Sequence, residues 1–258
     1  MIHYVSRFLV LVVISISANA AHAQQDVADI QSVKKQVPQQ NQMNYFLMKR
    51  KNEQVPKDGF KLLMILPGGN GSAQFEPFIK RILKHALPKD YIVVQPVAVK
   101  WNPEQIAIWP TSQSKKKYMK FTTEQFVDSV LKHAKTQIKV NPKHIYIMGW
   151  SSSGPALYAT ALRKKTPFKG SYIAMSVFKE NNPQRLKLAK DKVFYIEHSK
   201  ADRVCPYWMA EKAHKVLKQH GAKVIFKTAP GGHGWLPNPY LRIKTAITNL
   251  ENRSVSEK

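Results

Sequence analysis

Cysteine is nearly absent from this chain. Cys205 stands alone among 258 residues, so no disulfide can form within one molecule, and the core must hold the fold. Acidic residues are scarce too, 16 against 41 Lys and Arg, for a formal net charge of +25. That imbalance specifies no fold, but it predicts salt-dependent attraction to anionic surfaces, polysaccharides or substrates. The apolar run at residues 8–18 is too short for the ~20 residues a membrane span needs, so no integral membrane segment is expected. H-E-x-x-H, a Cys/His cluster and G-x-x-x-x-G-K-[ST] are all missing, so no metal and no cofactor is expected. The lysines are scattered, with short runs such as Lys115-Lys116-Lys117, and no recognition module accompanies them. A specific nucleic-acid partner is therefore not expected.

Residues 1–23 read as a secretory signal peptide, with a weakly basic start through Arg7, the apolar run, and Ala21-His22-Ala23 as a small-x-small cleavage site. Export to the periplasm or beyond the cell is the expectation, with a mature chain beginning near Gln24. No cysteine follows the cleavage site to carry a lipid anchor. Residues 24–42 are polar and Gln-rich and read as a flexible leader. Residues 43–258 are long enough for one domain with a sizeable core.

Within that domain, apolar runs alternate with amphipathic ones. Strands are expected at residues 45–48, 61–66, 91–94, 145–148, 172–175, 193–196 and 223–226, several of them nearly continuous apolar runs, as in strands buried on both faces of a parallel sheet. Phe126, Val127, Val130, Leu131, Ala134 and Ile138 recur at helical spacing behind a Thr122/Gln125 capping box. Pro206 suits the start of another helix and Gly221 its end. The alternation predicts a doubly wound, mostly parallel, three-layer α/β domain. Residues 100–121, carrying Trp101, Trp109 and Pro110, form the longest irregular stretch. Such a stretch either lines a cleft or packs its tryptophans on the sheet edge.

The strand at 145–148 runs into Gly149-Trp150-Ser151-Ser152-Ser153-Gly154. A serine at a sharp strand-to-helix turn is held clear of the surface, beside the N–H donors and favourable dipole of a helix start. The usual G-x-S-x-G spacing would put glycine at 153; here Ser153 stands there and glycine follows one place later. The alternative is a serine N-cap, at Ser151 or Ser152. A nucleophilic serine further needs a base, a group to orient that base, and oxyanion donors. Open α/β sheets place these at the carboxyl ends of strands. His233, between glycines after the last strand, is the candidate base. Asp202, on the loop after 193–196, is the candidate orienting carboxylate, with Glu197 and Asp191 as competitors. His198 reads as a structural neighbour. Backbone N–H groups of Ser152 and of Gly69 or Asn70, in the loop Pro67-Gly68-Gly69-Asn70-Gly71, are candidate oxyanion donors. Trp150, Trp109 and Trp235 are candidate pocket walls.

In the order Ser, Asp, His behind a glycine loop, the chain resembles the α/β-hydrolase superfamily. Within it, the nearest likeness is to the dienelactone hydrolase, polyhydroxybutyrate depolymerase-like and prolyl oligopeptidase-like branch. Asp202-Arg203-Val204-Cys205-Pro206 is similar to that branch's acid loop, with one extra residue, and Gly231-Gly232-His233-Gly234-Trp235 to its histidine loop. The resemblance, spanning about residues 62–235, implies a sheet whose first connection is antiparallel. Together with the signal peptide, the leading expectation is an exported serine hydrolase, a carboxylic ester hydrolase acting on small-molecule or polymer esters. The competing expectation is a catalytically weak or inactive protein on the same scaffold that binds an anionic polymer or envelope surface.

Overall fold

The computed structural model describes residues 26–255; the expected signal peptide lies outside them. Eight strands form one sheet: β1 Ile30–Gln36, β2 Asn44–Arg50, β3 Phe60–Leu66, β4 Tyr91–Pro96, β5 Val140–Trp150, β6 Gly170–Ala174, β7 Val193–Ser199 and β8 Lys223–Ala229. Their order across the sheet is β1-β2-β4-β3-β5-β6-β7-β8. β2 lies antiparallel to both β1 and β4, and every pair from β4 to β8 is parallel. The helices are α1 Glu76–Ala86, α2 Thr123–Gln137, α3 Gly154–Ala161, α4 Pro183–Leu186, α5 Tyr207–Gln219 and α6 Pro239–Val255.

The central strands are largely apolar because both faces are covered. Leu62, Met64 and Leu66 of β3 join one core with Phe126, Val130 and Leu131 of α2, Leu157 of α3, and Ala213 and Leu217 of α5. Their neighbours Leu63 and Ile65 point the other way, into a second core with Ile79, Ile82 and Leu83 of α1 and Ile243, Ile247 and Leu250 of α6. The period of two along each strand thus divides one apolar run between two helical layers. The expected three-layer, doubly wound, mostly parallel domain is what the chain forms. The capping box is present, with the Thr122 hydroxyl accepting from the Gln125 N–H and the Gln125 side chain accepting from the Thr122 N–H. Among the described residues, no helix is long and apolar enough to cross a membrane.

One expectation is corrected. The flexible leader proposed for residues 24–42 contains β1, which pairs with β2 over its whole length, from Ile30 opposite Arg50 to Gln36 opposite Asn44. Only Ile30 of this strand is buried. An edge strand covered on little of its surface needs few apolar side chains, and Lys34 and Lys35 suit an outer edge that must not pair further. The folded domain therefore begins well before residue 43.

Candidate active site

Register brings the expected site loops together. Leu66 pairs with Gly149, so the glycine loop after β3 leaves the sheet beside the turn after β5. Ser199 pairs with Ala229, setting the Asp202 loop beside the His233 loop. The Ser199 hydroxyl donates to the Gly231 carbonyl and ties the two together.

After β5 the chain turns through a 3₁₀ segment, Ser151–Ser153, into α3. Ser151 has φ of +55°, a left-handed conformation rarely adopted by a residue with a side chain. Such a conformation persists only where the surroundings enforce it, and it is frequent at functional sites. Neither serine acts as a side-chain cap of α3. The Ser152 hydroxyl instead donates to the Gly69 carbonyl at 2.8 Å, and the Ser176 hydroxyl donates to the Ser151 carbonyl.

The shifted glycine has a steric explanation. Ser153 is fully buried with φ of −86°, which any residue adopts, and its hydroxyl donates to the Trp150 carbonyl at 3.0 Å. The close approach falls at the neighbouring positions. A Cβ on Gly149 would collide with Ser153 Oγ and the Leu66 carbonyl, and one on Gly154 with Ser176. Glycine is required where another segment crosses, not at 153. Ser153→Gly is accordingly expected to keep activity within a few-fold while losing about 1 kcal/mol of stability with its hydrogen bond. Paired kinetic and denaturant measurements check this; loss of activity in a stable variant would give Ser153 a role in the chemistry.

His233 Nε2 lies 2.9 Å from Ser151 Oγ, and its Nδ1 lies 2.9 Å from Asp202 Oδ2. The carboxylate of Asp202 is wholly buried, with its other oxygen accepting the N–H groups of Val204 and Cys205, each at 2.8 Å. Burial alone would raise this carboxyl pKa; the hydrogen bonds from His233, Cys205 and Val204 outweigh it and hold the group below its ordinary value. His198 Nε2 faces the Cys205 carbonyl at 2.8 Å and Asp202 Oδ2 at 3.1 Å. Both neighbours are acceptors, so the proton belongs on that nitrogen, where it is donated to the Cys205 carbonyl with the Asp202 carboxylate close by.

The competing carboxylates are elsewhere. Asp191 precedes β7 and lies at the opposite end of the sheet. Glu197 lies within β7, where it accepts from Arg242 Nε at 2.8 Å and from the Tyr172 hydroxyl at 3.2 Å. Arg242 Nη1 also donates to the Trp235 carbonyl at 2.9 Å. A side chain from α6 thus clamps the histidine loop onto the strand that leads to Asp202. Sequence reasoning missed this clamp, since nothing about an arginine on the last helix marks it. It equally missed Ser176, whose partner is a backbone carbonyl.

The remaining expected residues divide. Gly69 has φ of +56°, and Gly68 packs so closely on Trp150 that a Cβ would strike its ring and carbonyl. Among the described residues the N–H groups of Gly69 and Asn70 donate to no protein acceptor. They are therefore free to serve an oxyanion together with the Ser152 N–H. Trp109 lines a cavity of about 580 Å³ that also borders Ser152, and its indole N–H donates to the Pro67 carbonyl. Residues 97–122 supply most of that cavity's wall, so the long irregular stretch lines a cleft. Trp150 and Trp235 do not border it. They pack edge-to-face on each other, 5.4 Å between ring centroids, and against Phe78 in the second core. Trp150, the last residue of β5, and Trp235, in the histidine loop, pack with the α1/α6 layer rather than on this cavity. Among the described residues no group of three or more His, Cys, Asp or Glu is arranged to hold a metal ion.

A series of hydroxyl, imidazole and carboxylate at a strained turn can transfer a proton from the serine as it attacks a carbonyl. No family model and no curated protein matches the chain. Solved structures do. A provisionally assigned dienelactone hydrolase from Klebsiella pneumoniae aligns over 85% of this chain and 98% of its own at 12% identity, TM-score 0.64. A Bacillus cereus carboxylesterase aligns over 82% and 94% at 15% identity, TM-score 0.61. The S-formylglutathione hydrolase FrmB of Staphylococcus aureus aligns over 86% and 96% at 18% identity, TM-score 0.60. The chain has the α/β-hydrolase fold, and these structural neighbours are esterases and hydrolases.

Proposed function

We propose that this α/β-hydrolase-fold chain is an exported serine hydrolase that cleaves carboxylic esters through an acyl-enzyme on Ser151. The observation that carries the proposal is the unbroken hydrogen-bonded series from Ser151 Oγ through His233 to buried Asp202. Ser151 Oγ attacks the ester carbonyl carbon as His233 Nε2 takes its proton, and Asp202 stabilises the imidazolium that forms. The N–H groups of Ser152 and of Gly69 or Asn70 receive the developing oxyanion. Collapse expels the alcohol, protonated by His233, and leaves the acyl group on Ser151. Water, deprotonated by the same imidazole, then releases the acid and restores the serine. Esters are favoured over amides by the company of esterases among the structural neighbours.

The net charge of +25 alone would suit a protein that only binds an anionic polymer or surface. Pure binding, however, gives no reason for Ser151, His233 and Asp202 to be hydrogen-bonded in series. The test is release of p-nitrophenol from p-nitrophenyl acetate and butyrate by folded protein beginning at Gln24, with Ser151→Ala beside it. Serine-dependent turnover supports the proposal, and turnover no greater than the variant's contradicts it. Export is tested by the N-terminus of the protein recovered outside the cytoplasm. It is expected near Gln24, and an exported chain retaining Met1 contradicts cleavage.

A further inference from the structure

The cavity beside Ser152 has about 580 Å³, within the usual range for sites that enclose a small molecule. Its walls include Ile108, Trp109 and Met119 from the 97–122 segment. Two exposed lysines from separate parts of the chain also border it, Lys116 from that segment and Lys179 from the stretch after β6. Among the described residues neither has an ion-pair partner. One carboxylate, Glu104, shares the lining, so the cavity keeps an excess of positive charge. Lys179 also lies near enough to the Ser151 neighbour Cys205 to lower its thiol pKa, against burial and the Asp202 carboxylate, which raise it.

We propose that this cavity selects esters that carry an anionic group on an apolar body, the body lying against Trp109 and Met119 and the anion meeting Lys116 and Lys179. The inference rests on the hydrolase reading and names its substrate class. A largely apolar cavity bordered by two cations and one carboxylate favours such a molecule over a neutral one of the same shape, because the neutral one gains only the apolar part. Glu104 works against the anion and sets how much is gained.

Two pairs of esters test it, with the anion on either side of the scissile bond: mono-p-nitrophenyl suberate against p-nitrophenyl octanoate, and 4-carboxyphenyl butyrate against phenyl butyrate. The readout is the anionic-to-neutral ratio of kcat/KM. In Lys116→Gln/Lys179→Gln this ratio is expected to fall about tenfold for at least one pair, the scale of two partly exposed charge pairs. Glu104→Gln is expected to raise it. Lys132→Gln/Lys135→Gln, on α2 away from the cavity, removes the same total charge and is expected to leave it unchanged. A ratio that stays constant in the cavity variant, or falls equally in the α2 variant, overturns the inference while leaving the hydrolase reading intact. Absence of Ser151-dependent hydrolysis of all four esters overturns both.

Discussion

Ser151→Ala is expected to lower kcat for p-nitrophenyl butyrate by about four powers of ten or more, with the protein folded and its stability little changed. The magnitude follows from what the hydroxyl does. In the proposed mechanism it is the only group that forms the covalent bond, and once it is gone His233 and Asp202 have nothing to activate but water. Residual hydrolysis from the oxyanion donors and binding alone amounts to roughly 10³–10⁴ over water in comparable sites. The neighbouring thiol does not take over. Cys205 contacts Ser151, but burial pushes its pKa up to about 11, so at neutral pH it is protonated and a poor nucleophile. Steady-state kinetics measure the loss. A variant within tenfold of the parent would mean that another group carries the reaction.

Asp202→Asn is expected to lower kcat by on the order of 10⁴ while changing KM little, because the substitution reverses a hydrogen bond. Asp202 accepts at both oxygens, from the Val204 and Cys205 N–H groups on one side and from the His233 imidazole on the other. An amide oxygen satisfies the backbone donors and turns its NH₂ toward His233 Nδ1. The imidazole proton then sits on Nε2, the atom that must accept from Ser151. The folded pKa of Asp202 lies below its ordinary value, so its contribution to stability is present above the unfolded carboxyl pKa of about 4 and is lost as pH falls through the folded value. The stability advantage of the parent over Asp202→Asn should therefore shrink as pH drops below about 4, read from denaturant midpoints. An advantage that grows on acidification would contradict the assigned charge state.

How much was legible in the sequence varies with the physics behind each feature. The sheet was legible because strands covered on both faces must be continuously apolar, as 62–66 is. β1 was not, because an edge strand with one buried side chain leaves no hydrophobic period to read. The hydrogen-bonded arrangement of Ser151, His233 and Asp202 was legible because such a series requires particular residue types at strand ends, and chain order then supplies the geometry. Ser153 looked like a defect only while the position was assumed to need glycine; the crowding lies at Gly149 and Gly154 instead. The packing of Trp150 and Trp235 with the α1/α6 layer was not legible, because an aromatic at a strand end or in a site loop serves a pocket or a core equally well, and only side-chain direction decides. The Arg242 clamp and the meeting of Lys116 and Lys179 at one cavity depend on how distant segments come together, which no local pattern records.

The central claim, that Ser151 is the acylated nucleophile, is tested most directly by treating the folded protein with a fluorophosphonate and locating the adduct by peptide mass spectrometry. The expected result is one phosphonyl group, on Ser151, formed by the parent and absent from Ser151→Ala. A parent that stays unmodified, or an adduct on any other residue, would contradict the account.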